Sequence, residues 1–513
     1  MDQPNIIFLM TDQQRWDALG VVNARIKTPN LDRLAREGVL FSQTVCQCPM
    51  CVPSRNSLMF GMYPSQLGVR SNSGGLFYED RLPTLPLPEV LRRAGYQTAG
   101  FGKTHWGHGA FNPVPSARGF EIRAIGHARN SEFYERGAVM MDDLAPAALA
   151  AYDREVSAYG PGEEDAAGYI GCTSQVPARD HRDGYVAAQC LEFLDSGVDP
   201  ARPLFLYLSF LKPHAGFNVP PEFEALYDLD EIPDMPAPDW NAEPVTHQTA
   251  LDAAAPFHRQ RYEKWRAIFS TMTPAERKRT ILRYYANCSW LDACFGQALE
   301  RLEKLGRLNN ALIVFTSDHG DLLGERDYRF SKYCLFESSV RVPLILAGSR
   351  VPGTKRGTVD DRPAELVDLV PTLAQAAGAP PNPMLPGLDL LSENRRLGAF
   401  CELHGGMGET PQPAPAYMWR KRDWKLILYL PGTIADAAMR LGETRGELYD
   451  LAHDPQERTN LYPDEQHAVV REQMKTELLM HLAVAWSKGP LFGDAAGLRA
   501  LGGDSADQLP FAP

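Results

Sequence analysis

Five consecutive residues, Cys51-Val52-Pro53-Ser54-Arg55, set a thiol, a turn-forming proline and a fixed positive charge side by side. As plain chemistry this run is an ordinary turn, a thiol of lowered pKa beside Arg55, or a cysteine that undergoes modification. Cys48 and Cys51 also form a Cys-x-x-Cys pair, with Cys46 two residues earlier. That spacing belongs to thiol–disulfide centres and to half of a zinc site. A non-enzymatic thiol or zinc-binding protein built on Cys46, Cys48 and Cys51 is therefore one reading, although no second pair completes a zinc site. Asp12-Gln13 and Asp318-His319 supply carboxylate, amide and imidazole donors suited to a hard or borderline divalent cation. Lys103 and His105, two apart in an extended segment, are expected to point to one side. His214 and Lys332 add an imidazole and an ammonium. Taken singly each has a bland explanation: a helix cap for Asp12, a turn for Asp318-His319, solvated lysines and a core histidine for the rest.

The elements that carry these residues follow from hydrophobic patterning. Asn5 to Met10 is a short apolar run that ends at Thr11-Asp12-Gln13, the pattern of a buried strand delivering polar groups at its C-terminal end. Tyr96 to Phe101 leads in the same way to Gly102-Lys103-Thr104-His105. Pro203 to Phe210 leads to Lys212-Pro213-His214, and Ala311 to Thr316 to Ser317-Asp318-His319-Gly320. Val342 to Ala347 is a further buried strand. Helical stretches alternate with them, at Leu31 to Glu37, Glu89 to Ala94 and Glu276 to Leu305. This alternation predicts an α/β sandwich around a large, mainly parallel sheet, in which ligands gather beyond the carboxyl ends of the strands.

The pattern changes at the breaker-rich Gly378-Ala379-Pro380-Pro381-Asn382-Pro383. Short strands at Leu397 to Leu403, Tyr417 to Arg420 and Trp424 to Leu430, then a helix from about Pro463 to Trp486, predict a smaller α+β domain with an antiparallel sheet. The expected organisation is a catalytic α/β domain over 1–385, an α+β subdomain over 386–488 and an extended tail over 489–513 able to wrap a neighbouring copy in a homo-oligomer. The stretch from Ala124 to Ala178 reads as an insertion that covers a site.

The chain has 513 residues, 44% hydrophobic and 23% charged, enough for a large core. Its net charge of -12 argues against a broad nucleic-acid surface, while a local cationic pocket still accommodates a small anion. Nine cysteines, spread thinly, fit free thiols better than a disulfide framework. No apolar run approaches the ~20 residues of a membrane span, and no basic, apolar leader opens the chain, so a cytoplasmic location and no membrane partner are expected.

The ordered set of motifs resembles the sulfatases of the alkaline phosphatase superfamily. It comprises the Asp12 strand, Thr28-Pro29-Asn30-Leu31-Asp32-Arg33-Leu34, Cys51 to Arg55, Gly95-Tyr96 with Gly102 to His105, Thr316 to Gly320, and Leu448-Tyr449-Asp450-Leu451 with Asp454-Pro455. The resemblance implies an alkaline-phosphatase-like fold and hydrolysis of small-molecule sulfate esters to an alcohol and sulfate. It implies that Cys51 is converted by a separate formylglycine-generating enzyme to formylglycine, whose hydrate is the nucleophile and a metal ligand. Asp12, Gln13, Asp318 and His319 would complete the site of one divalent metal, Ca2+ first and Mn2+ as the alternative. Arg55 would stabilise the hydrated aldehyde. Lys103 and His105 would bind a sulfate oxygen and steer the proton of the hydrate's second hydroxyl, and His214 and Lys332 would serve the bridging oxygen and the leaving group. Asn72 would be a further substrate contact. Phosphonate monoester hydrolases and choline sulfatases share Asp12-Gln13 and Asp318-His319, so a phosphonate monoester or phosphodiester is the alternative substrate. Lys103-Thr104-His105 and the Cys-x-Pro-Ser-Arg form favour the sulfate ester.

Overall fold

The computed structural model describes residues 3–72, 82–106, 118–159, 169–235, 256–404, 415–430 and 445–487. Among the described residues, fifteen strands run in chain order as β1 (Asn5–Asp12), β2 (Val39–Phe41), β3 (Thr44–Val45), β4 (Gln97–Gly102), β5 (Ile122–Ile125), β6 (Val139–Met140), β7 (Leu204–Pro213), β8 (Ala311–Ser317), β9 (Leu344–Ala347), β10 (Thr358–Asp360), β11 (Ala364–Glu365), β12 (Ala399–Leu403), β13 (Ala416–Arg420), β14 (Trp424–Tyr429) and β15 (Arg445–Asp450). Nine of them form one sheet in the order β10-β2-β9-β8-β1-β7-β4-β5-β6. β1 lies at its centre, parallel to β7 on one side and β8 on the other. The sheet is mainly parallel, as the patterning predicts. β9 departs from that expectation and runs antiparallel to both β8 and β2.

Alternate residues of each central strand enter opposite cores because strand side chains alternate between faces. Ile6, Phe8 and Met10 of β1 join Phe205, Tyr207, Leu312 and Val314 on one face. Ile7 and Leu9 join Leu204, Leu206, Ile313 and Phe315 on the other. Of the helices, α1 is Pro29–Glu37, α2 Cys51–Phe60, α3 Leu87–Arg93, α4 Arg182–Ser196, α5 Pro274–Lys304, α6 Leu369–Ala376 and α7 Ala468–Ser487. Helices α2, α3 and α6 pack into the first core and α1, α4 and α5 into the second. The result is a three-layer α/β sandwich in which β1, β4, β7 and β8 direct their carboxyl ends to one edge.

Strands β12 to β15 form a separate antiparallel sheet in sequential order. Its outer face carries Phe400, Tyr417, Trp419, Leu426, Leu428 and Leu448 against Met474 and Leu478 of α7. Its inner face, through Cys401, Met418, Ile427 and Tyr449, belongs to the same core as β1 and α2. The C-terminal sheet is thus packed directly onto the layer that carries Cys51. The stretch expected as an insertion in fact opens within β5 and contains β6, both members of the main sheet. The tail beyond residue 487 lies outside the described residues. Among the described residues no helix is long and apolar enough to cross a membrane.

Candidate active site

Cys51 is the first residue of α2, a helix buried along its whole length. The first peptide N–H groups of a helix have no partner within it and favour negative charge nearby. One of them, Val52 N–H, donates to Asn72 Oδ1 at 3.1 Å, so Asn72 braces the start of the helix beside Cys51. Strands β1 and β8 bring Asp12, Asp318 and His319 to the same point. The ligand atoms of Asp12, Cys51, Asp318 and His319 lie within 4.8 Å of one another, and all four residues are buried. Behind this cluster the chain turns at Gly320, where a Cβ would stand 2.0 Å from the carbonyl oxygen of Ser338. Only glycine fits there.

Arg55, one helical turn beyond Cys51, ties the strand ends together. Its Nε donates to Asp318 Oδ2 at 2.6 Å and its Nη2 to Asp12 Oδ2 at 3.0 Å. Nη1 donates to the Lys103 carbonyl at 2.8 Å and to Ser209 Oγ at 3.0 Å. Lys103 reaches Asp12 Oδ2 at 2.5 Å. Lys332 Nζ lies 3.3 Å from Cys51 Sγ, 2.9 Å from Gln13 Oε1 and 3.2 Å from His214 Nε2. The cations therefore surround the thiol from two sides. Burial and Asp12 raise the Cys51 thiol pKa, but Lys103, Lys332 and His319 outweigh them and bring it well below its ordinary value. Burial also acts against the Asp12 carboxylate, yet Lys103, His214, Arg55 and His319 hold it well below the usual range. Burial, with Asp12 beside it, pushes Asp318 up. His319 is raised, because Asp318 outweighs the burial that would lower it.

The donor set fits a divalent cation. Two carboxylates and an imidazole converge, and His319 Nδ1 is 3.0 Å from the Gly320 carbonyl, which turns Nε2 toward Cys51 Sγ at 3.2 Å. An imidazole oriented through its other nitrogen is the usual form of a metal-binding histidine. The thiol or zinc reading fares differently. Cys48 packs with Met50 and Tyr333 outside the four-donor cluster, and burial pushes its thiol well up.

His105 does not follow the extended alternation expected of it: its φ is 54°, in the left-handed region. It still ends on the same side as Lys103, because both contact Phe133, whose ring centroid is 5.4 Å from Lys103 Nζ and 4.6 Å from the His105 ring. His105 is 7% exposed, and neither ring nitrogen has a hydrogen-bond partner among the described residues. Glu132 Oε2 lies 3.9 Å from its Nε2. Sequence reasoning missed Tyr207 and Ser209 of β7, which meet Arg55, and Asp321, which binds Gln13. Asp321 carried a signal, a third acidic residue just past Asp318-His319. Tyr207 and Ser209 had none, being a hydroxyl pair within an apolar strand.

A family model described as Sulfatase matches residues 4–379. The chain belongs to the sulfatase family. A second model, described as the C-terminal part of N-sulphoglucosamine sulphohydrolase, matches residues 324–483 of this sulfatase. An arylsulfatase of Clostridium perfringens is 28% identical over 94% of this chain and 94% of its own length. A choline-sulfatase of Rhizobium meliloti is 29% identical over 90% of this chain and 82% of its own. In fold, the sulfatase superposes on the crystal structure of the phosphonate monoester hydrolase of Agrobacterium radiobacter with a TM-score of 0.73 at 23% identity, covering 94% of this chain and 96% of that one. The alkaline-phosphatase-like architecture is thereby established, and the protein is classed as a sulfuric ester hydrolase.

Proposed function

We propose that this sulfatase works through formylglycine made from Cys51 by a separate maturation enzyme, with one calcium ion held by Asp12, Gln13, Asp318, His319 and the modified side chain. The observation that carries the reading is the four-donor cluster, buried at the start of α2 and faced by Arg55, Lys103 and Lys332. When present, formylglycine and the cation supply a hydroxyl of lowered pKa and a positive charge against the sulfate oxygens. Oxygen-rich donors favour calcium, with manganese as the alternative.

The chain's own residues do the rest. Arg55 keeps Asp12 and Asp318 in register with the nucleophile position, because one guanidinium grips an oxygen of each. Lys103 offers positive charge to a sulfate oxygen, and the buried imidazole of His105 takes or returns a proton at the nucleophile's second hydroxyl. His214 and Lys332 meet the bridging oxygen, where negative charge develops as the S–O bond breaks. Asn72 contributes through the helix start it braces.

The deciding experiment compares kcat/KM for an aryl sulfate with that for the matching aryl phosphonate monoester, using protein co-produced with a formylglycine-generating enzyme. The two substrates share a tetrahedral anion that the same cations can neutralise. A ratio well above one supports the sulfate ester, and a ratio well below one transfers the protein to phosphonate and phosphodiester chemistry. No turnover of either by protein shown by mass spectrometry to carry formylglycine overturns the proposal.

A further inference from the structure

Gln13 presents its amide among the proposed metal donors, and its neighbours decide which way that amide faces. Its backbone is left-handed, with φ 67°, and is fixed from both ends. Its N–H donates to Asp318 Oδ1 at 3.0 Å, and its carbonyl accepts from the Tyr284 hydroxyl at 2.7 Å. The side chain then bridges two opposite charges. Nε2 donates to Asp321 Oδ2, and Oε1 accepts from Lys332 Nζ at 2.9 Å. A carboxylate only accepts and an ammonium only donates, so the flipped amide would oppose like with like at both ends.

Asp321 acts on Lys332 by a second route. Its Oδ1 accepts from Leu323 N–H at 2.5 Å and its Oδ2 from Ser331 N–H at 3.2 Å. One fully buried carboxylate therefore pins both ends of the loop whose next residue is Lys332. That loop holds Leu323, Arg326, Asp327, Tyr328 and Ser331 at positive φ. Non-glycine residues persist in that region only where the surroundings over-determine them.

We infer that Asp321 is a positioning residue for leaving-group departure, holding Lys332 in place both through the Gln13 amide and through the loop. The inference rests on the sulfatase reading in one respect, that Lys332 meets the leaving oxygen. When the S–O bond breaks, its electron pair stays on that oxygen, and a nearby ammonium stabilises the charge. The need is greatest for weakly acidic alcohols. Asp321 would thus decide whether unactivated alkyl sulfates are substrates at all, while activated aryl sulfates depend on it little.

The test measures kcat/KM over sulfate esters from 4-nitrophenyl through phenyl to alkyl, with formylglycine and metal content quantified in each preparation. Asp321→Asn is expected to lower the alkyl ester about 100-fold, the scale of a lost charge-stabilising or proton-donating group, and the 4-nitrophenyl ester far less. Gln13→Ala should steepen the series in the same sense, which keeps the test open if Asp321→Asn does not fold. In a Lys332→Ala background Asp321→Asn should add no further steepening. Equal losses along the series, no loss, or additive steepening in that background overturns the inference. Wild-type protein that turns over no member of the series sinks the sulfatase reading instead, and this role with it.

Discussion

Glu337, at the start of the short helix Glu337–Val340, receives Arg420 of β13 in two parallel bonds of 2.8 Å each, with Lys425 of β14 3.3 Å away. Around Cys51, Asp12 and Asp318 also meet a buried arginine, at 3.0 and 2.6 Å. Both regions bury carboxylates with cations, and they differ in what is left over. At Glu337 both oxygens are gripped by one guanidinium fork. Its partner Glu457 binds Lys425 at 2.7 Å and the Glu337 N–H at 2.7 Å. At Asp12 both cations bind the same oxygen, Oδ2, and Oδ1 turns to Cys51 Sγ at 3.8 Å. Buried charge by itself therefore does not make a site. Lone pairs that converge on a common point do.

The largest expected effect separates the two regions by activity. Cys51→Ala should lower kcat by at least about 1000-fold, the scale seen when a nucleophile is removed, while stability changes by about 1 kcal/mol or less. Turnover near the wild-type level would place the nucleophile elsewhere. Asp318→Asn should weaken retention of the divalent cation more than about 100-fold, exceeding the loss typical of a supporting residue, measured by metal analysis after dialysis. Glu337→Gln should invert the pattern, costing about 3–5 kcal/mol in urea unfolding because Arg420 loses its buried carboxylate and Lys425 one of its two, with kcat per folded molecule kept. A variant equally stable but slower would mean that the two clusters are coupled.

pH sharpens the comparison. Burial would raise Glu337, but Arg420 and Lys425 hold it far below the usual carboxylate range. Its folded pKa is the lower one, so its stabilisation is present above the unfolded value, about pH 4.3, and is lost as pH falls through the folded value. Glu337→Gln should accordingly flatten the acid side of the stability profile. Glu447 on β15 is the opposite case. Burial raises its pKa to about 7, even though the Tyr449 and Tyr429 hydroxyls donate to it at 2.8 and 3.0 Å. Its contribution is complete below the unfolded value and is lost as pH rises through about 7. Glu447→Gln should remove that loss, worth about 2–3 kcal/mol, detectable as the difference between unfolding at pH 5 and pH 8.

Much of this molecule is legible in the chain because its central strands are continuous apolar runs that end in polar residues. β1, β7 and β8 are found that way, and each leads to a site residue. The order of the strands is not legible, since β10 pairs with β2 across more than three hundred residues. β5 and β6 were hidden in a stretch whose composition resembles a loop. At the site, Cys51, Asp12, Asp318 and His319 could be picked out as donor groups from residue type, and the structure brings them together. The bridge from Asp321 through Gln13 to Lys332 could not, because it depends on a left-handed turn and on side-chain direction. His105 shows the same limit, reaching the expected side by an unexpected backbone.

Cys51 is 1% exposed, at the head of a helix with no exposed residue. A second protein's active site cannot reach such a thiol once Arg55 has locked the strand ends around it. If Cys51 is converted by another enzyme, as proposed, that conversion would be a race against folding: the chain that closes first would stay a cysteine for good. The fraction of active molecules in a preparation would be set during synthesis, by relative rates, and no later incubation with the maturation enzyme could raise it.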